Sequence, residues 1–77
     1  MIREHDVVVL TCDLPEHGLV RGDMGTVVHI HPEAVAYGIE FMTLDGETLA
    51  VVSLAKDQVR TVAPGEIRHA RAVETRT

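Results

Sequence analysis

Aromatic side chains are almost absent from this 77-residue sequence, which contains Tyr37 and Phe41 but no tryptophan. A protein that binds proline-rich peptides needs an aromatic-lined groove, and one that binds single-stranded nucleic acid needs aromatic platforms for the bases. The shortage therefore argues against both kinds of ligand. The core has to be built from aliphatic residues instead, which the hydrophobic content of 45% makes feasible.

Cysteine is equally scarce, because Cys12 is the only one and no disulfide can form within the chain. No group of cysteine and histidine residues has the spacing of a zinc finger. A nucleophilic Cys12 would need a base such as His17 and a third group to orient that base, and no third group is evident. We predict no catalytic residue, no metal and no cofactor, and therefore a protein that is not an enzyme.

Basic charge is the third shortage, since Lys56 is the only lysine and the formal net charge is −5. Residues 1–63 contain four basic and ten acidic residues, whereas residues 64–77 contain three and two. Phosphate backbones repel such an acidic body, which argues against nucleic acid as the main partner. An RNA-binding role would depend on three residues of the tail, Arg68, His69 and Arg71.

Long apolar segments are also missing. No run approaches the roughly 20 residues that a membrane-spanning helix needs. No charged-then-apolar leader follows Met1, and the single thiol is typical of a reducing compartment. We therefore expect a cytoplasmic protein without membrane contact.

The sequence does contain a series of short β-branched and alternating segments. Five strands are predicted, at residues 6–10, 25–31, 36–42, 48–54 and 59–62. A long loop (residues 11–24) follows the first strand, and one helical turn (residues 55–58) precedes the last. This order predicts an all-β fold, a small five-stranded SH3-like barrel over residues 1–63. Residues 64–77 are predicted to form a C-terminal tail that is either a short helix or disordered.

One hairpin is specified more clearly than the rest of the fold. The dipeptide Asp45-Gly46 favours a two-residue loop of type I′, in which Leu44 pairs with Glu47. The same register places Tyr37, Ile39 and Phe41 on the core face, with Ile39 opposite Val52.

The opposite face of this hairpin is also rich in apolar side chains. Met42 is expected opposite Leu49, with Val51 beside them. A lone barrel would expose all three side chains. The pattern therefore predicts a second buried surface, formed by self-association or by a partner protein.

The long first loop is the other candidate for partner binding, because a loop of that length in so small a domain is usually functional. Asp13, Glu16 and Asp23, together with His17, are predicted to form an acidic lip that steers a basic partner. The predicted partner-binding site therefore combines these four residues with Met42, Leu49 and Val51.

A pair of histidines is the one feature that would suit a metal. His29 and His31 lie two residues apart on a predicted strand, which places both rings on one face together with Val27. A divalent cation would need further ligands, and His17 or Glu33 would have to supply them. No third ligand is adjacent in sequence, so we interpret the pair as part of a solvated face.

Residues 22–28 (G-D-M-G-T-V-V) resemble the entry to the second strand of many SH3-like barrels. These barrels include the KOW modules of ribosomal and transcription proteins and the barrel of nitrile hydratase β subunits. Gly22 and Gly25 are expected to adopt positive φ, where the chain bends into the strand.

A closer resemblance covers residues 1–62. The segments D-V-V-V-L (6–10), L-P-E-H-G-L (14–19), Y-G-I-E-F (37–41) and L-D-G-E-T-L-A-V-V-S-L (44–54) are similar to a family of small bacterial proteins known only as a domain of unknown function. The resemblance implies the barrel and no catalytic residues. Members of that family resemble stand-alone proteins, which implies a small partner, antitoxin or accessory protein.

These observations lead to three hypotheses about function. The first is a non-enzymatic protein-interaction module, either an antitoxin-like protein or an accessory subunit. The alternative is a KOW-like RNA-binding module that uses the basic tail. The third is a small metal-dependent enzyme built on His29 and His31.

Overall fold

A computed structural model describes residues 2–73 as a single antiparallel sheet of five strands. The strands are β1 (Val7–Leu10), β2 (Met24–Ile30), β3 (Ala36–Met42), β4 (Thr48–Ala55) and β5 (Val59–Thr61). Their order across the sheet is β4-β3-β2-β1-β5, so β1 pairs with both β2 and β5. The all-β prediction is confirmed, and this order is that of an SH3-like barrel.

Short 3-10 turns are the only helical elements in the part of the chain that the structure describes. They cover Pro15–His17 in the first loop, Pro32–Ala34 between β2 and β3, and Lys56–Gln58 before β5. The last of these is the helical turn expected at that place. Between residues 2 and 73, no helix has the length and hydropathy needed to cross a membrane.

The core lies on the inner face of the curled sheet. Ile39 at the centre of β3 is fully buried, and Tyr37 and Phe41 flank it on the same face, as predicted. The remaining core residues come from every other strand and from the first loop: Val8, Leu10, Leu14, Leu19, Val27, Leu54 and Val59. Burial of each such side chain stabilises the fold by about 1.5–3 kcal/mol.

Strands β2 and β3 pack closely at Gly25. A Cβ atom at this position would lie 2.5 Å from Ile39 Cγ2 and 3.0 Å from Phe41 Cε1, so only glycine fits. The expected positive φ occurs at Gly22 (+95°), but the expectation is wrong for Gly25, whose backbone is not in the left-handed region. Gly25 therefore serves the close approach of two strands and not a turn.

A β-bulge in β2 changes the direction of the side chains that follow it. The register with β3 shifts between Val27 and His29, which leaves Val28 as the extra residue. As a result Val27 is fully buried while His29 is exposed. The prediction that Val27 shares a face with His29 and His31 is therefore wrong, because strict alternation ends at the bulge.

A second bulge lies near the start of β4. The pairing of β3 with β4 is as predicted as far as Phe41 and Ala50, but the next pair is Met42 with Thr48. Leu49 is the extra residue, so its predicted pairing with Met42 is wrong. Leu49 is half-buried as a consequence.

The hairpin loop between β3 and β4 contains three residues and not two. The Thr43 N–H donates to the Glu47 carbonyl at 2.8 Å, and the Gly46 N–H donates to the Thr43 carbonyl at 3.0 Å. Among loop residues 44–46, only Gly46 has positive φ, at +96°. The loop is thus a type I turn followed by a left-handed glycine, and the predicted type I′ loop with Leu44 opposite Glu47 is wrong.

Replacement of Gly46 tests this loop. We expect Gly46→Val to lower the free energy of unfolding by about 1–3 kcal/mol, because a β-branched residue resists a φ of +96°. Leu44 in the same loop is 85% exposed, so Leu44→Val is the control and should change stability by less than about 0.5 kcal/mol. Urea unfolding of both variants measures the difference, and equal stabilities would contradict the assignment.

Candidate functional site

The first loop projects from the barrel and is anchored to the core at its base. Leu14 and Leu19 exchange backbone hydrogen bonds of 2.9 and 3.1 Å, and both side chains lie in the core. The 3-10 turn between them presents Glu16 and His17 at an exposed tip. Two buried leucines therefore fix the base of the loop, and Glu16 and His17 lie exposed between them.

Two of the acids predicted to form a lip accept hydrogen bonds from the loop backbone. Asp13 Oδ1 accepts a hydrogen bond of 2.8 Å from the Arg21 N–H. Asp23 Oδ2 accepts one of 2.9 Å from the Val20 N–H. These carboxylates stabilise the loop backbone, while Asp13 and Glu16 are both exposed to solvent. Partner binding by the four loop residues stays a prediction.

The C-terminal tail returns to this loop and pairs with Asp23. Arg71 Nε donates to Asp23 Oδ1 at 2.8 Å, and a terminal nitrogen of Arg71 donates to the other carboxylate oxygen and to the Gly18 carbonyl. Burial by itself would raise the pKa of Asp23, but hydrogen bonds from Arg71 and the Val20 N–H outweigh it and lower that pKa. The same pairing raises the pKa of Arg71. One of the three basic tail residues is therefore already engaged within the chain.

A second ion pair fastens the start of the tail. The Arg60 guanidinium on β5 donates two hydrogen bonds, of 2.9 and 2.6 Å, to the Glu66 carboxylate. The Ala63 N–H donates to the same carboxylate at 2.6 Å. The hydrogen bonds from Arg60 and then from Ala63 lower the pKa of Glu66 to about 2. The tail is thus tied to the barrel at both ends of the segment 66–71.

The tail covers part of the outer face of β1 and β5. Residues 66–73 have no regular secondary structure, and residues 74–77 of the predicted tail lie outside the described part of the chain. A cavity of about 330 Å³ lies beneath the tail, and its lining includes Val7, Val9, Met24, Val62, Arg68 and His69. Val9 points away from the core cluster but is only 6% exposed, whereas Val7 and Val62 beside it remain exposed, so the tail covers this strip only in part.

The histidine pair lies on the outer face of the sheet. The rings of His29 and His31 meet edge to face with centroids 4.7 Å apart, as their spacing predicts. His31 Nε2 lies 3.2 Å from Ser53 Oγ on β4. Within residues 2–73, no group of three or more histidine, cysteine or acidic residues is placed to hold a metal ion. Cys12 is half-buried against the core, and Gln58 Nε2 lies 3.8 Å from its sulfur.

The outer face of β3 and β4 is uncovered and partly apolar. Val51 is 61% exposed and Met42 is 44% exposed. Leu49, the third apolar residue predicted on this face, is half-buried at the bulge. The structure therefore brings Met42 and Val51 to one open surface, on a different strand pair from the tail.

Beside this surface lies a feature that the sequence reasoning missed, the free edge of β4. β4 is the last strand in the sheet order and pairs with β3 alone. Its eight residues, Thr48–Ala55, include no charged residue and no proline. Charged side chains, prolines and β-bulges are the usual means by which proteins block a strand edge, and of these β4 has only the bulge at Leu49, near its start. The uncharged run is visible in the sequence, but the position of its strand at the end of the sheet is not.

The hydrogen bonds at the end of β4 show which of its peptide groups point away from β3. The Ala55 N–H donates to Gln58 Oε1 at 2.8 Å and not to its β3 neighbour. Inward and outward residues alternate along an antiparallel strand, so Ser53 and Val51 also direct N–H and C=O outward. The edge of β4 therefore presents two consecutive outward residues whose backbone groups are ready to pair with another strand.

Comparison with models of protein families assigns the chain to one family. A family model described as "Domain of unknown function (DUF4926)" matches residues 4–61, more than half of the chain. The chain belongs to this family. The predicted family is thereby confirmed, while the resemblance to KOW modules and nitrile hydratase barrels stays a prediction. Comparisons with curated proteins and with solved structures found no match.

The DUF4926 match includes all five strands and ends before the tail. The free β4 edge and the loop residues are therefore parts of the DUF4926 region. Each of the two ion pairs that hold the tail joins one residue inside the matched region to one residue beyond it. Asp23 and Arg60 lie inside the match, whereas Glu66 and Arg71 lie beyond it.

Titration of Glu66 tests the first tie. We expect its pKa to be about 2 in the intact chain and to return towards the ordinary value of 4.5 in Arg60→Ala. Because the folded pKa is the lower one, the tie stabilises the docked tail above about pH 4.5 and is lost as the pH falls towards 2. Carbon-13 NMR of the carboxyl group measures this pKa. Arg68→Ala is the control and should leave it unchanged, whereas a value near 4.5 in the intact chain would sink the assignment.

Proposed function

We propose that this chain is a non-catalytic protein-interaction module that binds an extended segment of protein along the free edge of β4. The observation that carries the proposal is an eight-residue, uncharged edge strand beside an exposed apolar face. An accessory subunit or an antitoxin-like protein in the cytoplasm is the kind of protein that such a module suits.

Strand addition explains how the two parts of the surface would work together. The backbone groups of Val51 and Ser53 would supply the hydrogen bonds, which are independent of the partner's sequence. The side chains of Val51 and Met42 on the outer face would add apolar contacts with alternate residues of the bound segment. Affinity and selectivity would thus come from different atoms of the same strand pair.

The RNA-binding alternative has weaker support from the tail geometry. The Arg71 guanidinium is held by Asp23 and by the Gly18 carbonyl. Contact with a phosphate would have to break this pairing, which leaves Arg68 and His69 of the three residues predicted to contact RNA. The acidic body would still repel the phosphate backbone.

Two lysine substitutions of equally exposed valines test the proposal. Val51 and Val35 are both 61% exposed, but Val35 lies in the connection between β2 and β3 and not on β4. A lysine on an edge strand opposes pairing with another strand. We expect Val51→Lys to weaken partner binding by at least about tenfold, or 1.4 kcal/mol, and Val35→Lys to leave it unchanged.

The measurement starts with quantitative affinity capture by the three chains from the native host. Proteins that Val51→Lys loses and Val35→Lys retains are then purified and titrated against the wild-type chain. Hydrogen exchange at the Val51 and Ser53 amides should slow in the complex, because both N–H groups would become paired. A partner that binds both variants equally, without protecting these amides, would contradict the proposal.

A further inference from the structure

We propose that the strand which pairs with the β4 edge is the β4 strand of a second copy of this chain. The two strands run antiparallel about a two-fold axis, and the two sheets become one continuous sheet. This inference rests on the proposed function, because it names the occupant of the same edge. Three observations select a second copy: the backbone groups, the flanking charges and the outer apolar face.

The backbone groups of β4 match their own two-fold copy. In an antiparallel pair, two residues that face each other have their side chains on the same side of the sheet. Two facing residues can exchange hydrogen bonds only if the backbone N–H and C=O groups of both point out from the free edge of their own sheet. Val51 and Ser53 meet both conditions, since they are two residues apart on the outer side. A two-fold axis at Val52 places Val51 of each copy opposite Ser53 of the other. Each of these pairs exchanges two hydrogen bonds.

The charges that flank the strand are complementary to their own copy. Glu47 precedes β4 and Lys56 follows it, and both are exposed. The antiparallel arrangement brings Glu47 of one copy near Lys56 of the other, and the two-fold axis repeats this contact at the opposite end. A parallel arrangement would place like charges together. The strand between them is uncharged, so no like charges meet along the paired strands themselves.

The outer apolar face becomes continuous in this arrangement. Val51 of one copy lies opposite Ser53 of the other and diagonally across from its Val51, with all of these side chains on the outer face. On the β3 side of each copy Met42 is apolar, whereas Glu40, which faces Val51, accepts a hydrogen bond from the Thr48 hydroxyl. The most exposed valine of the sheet is thereby covered at the centre of the interface.

Charge exchange within the chain tests the register. We expect Glu47→Lys and Lys56→Glu each to weaken the dimer about tenfold, because each creates two like-charge contacts. The double variant Glu47→Lys/Lys56→Glu restores both attractions and should return to within about threefold of wild type. An equimolar mixture of the two single variants should form a heterodimer, in which both contacts are again between opposite charges.

Sedimentation equilibrium of the purified full-length chains measures these constants, and circular dichroism shows that each variant is folded. We expect Val51→Lys to abolish the dimer and Val35→Lys to preserve it. A wild-type chain that is monomeric at about 100 µM, where any dimer of micromolar affinity is populated, overturns the inference. A dimer that is insensitive to Val51→Lys, or single variants that the double variant does not rescue, overturns it as well.

The two proposals fail in different ways. If the wild-type chain is monomeric but Val51→Lys still loses a purified partner that Val35→Lys retains, self-pairing is wrong and the proposed function stands. If the chain dimerises and the dimer ignores Val51→Lys while no partner distinguishes the two lysine variants, both proposals are wrong.

Discussion

The two-residue alternation of side chains along a strand governs this molecule, and two bulges decide where that alternation changes phase. The bulge at Val28 lets one strand send Val27 into the core and then turn both histidines outward. The bulge at Leu49 shifts the register of β4 by one residue, and after it Val52 lies on the inner side of the sheet and Val51 on the outer side. Bulges also bend the strands that contain them, and that bending helps one sheet to wrap around its own core. A chain with two aromatic residues can enclose an aliphatic core in this way because the sheet supplies walls on several sides.

The outer surface of the sheet is treated differently on its two halves. Over β1 and β5 it is partly covered by the tail, which is held by Arg60 with Glu66 and by Arg71 with Asp23. Over β3 and β4 the described part of the chain places nothing, and the apolar side chains of Met42 and Val51 are left to solvent. The tail thus completes one half of the barrel from within the chain, while the other half keeps the open strand edge.

Local sequence patterns predict the elements of this fold well and their connections less well. Residues 36–42 alternate without interruption, and β3 has these bounds because no bulge disturbs it. Gly46 was recognisable as the residue that needs positive φ, but the size of its loop depends on whether Glu47 pairs with Thr43, which the dipeptide alone does not specify. Arg71 and Asp23 are 48 residues apart, and no periodicity links them. The free edge was missed for the same reason, since the last strand of a sheet is defined by its neighbours in space. Patterns within a strand are local physics, whereas bulges, ion pairs and sheet order arise from the whole chain.

Strand β5 forms the other end of the sheet, and it is short. It contains only Val59–Thr61, and its Arg60 is committed to Glu66. If two sheets join through their β4 strands, both long edges are paired, and the only unpaired edges left are the two three-residue β5 strands. Growth in one direction therefore terminates after a single addition. A molecule with such unequal ends can therefore have an unprotected strand edge without assembling into an extended fibre.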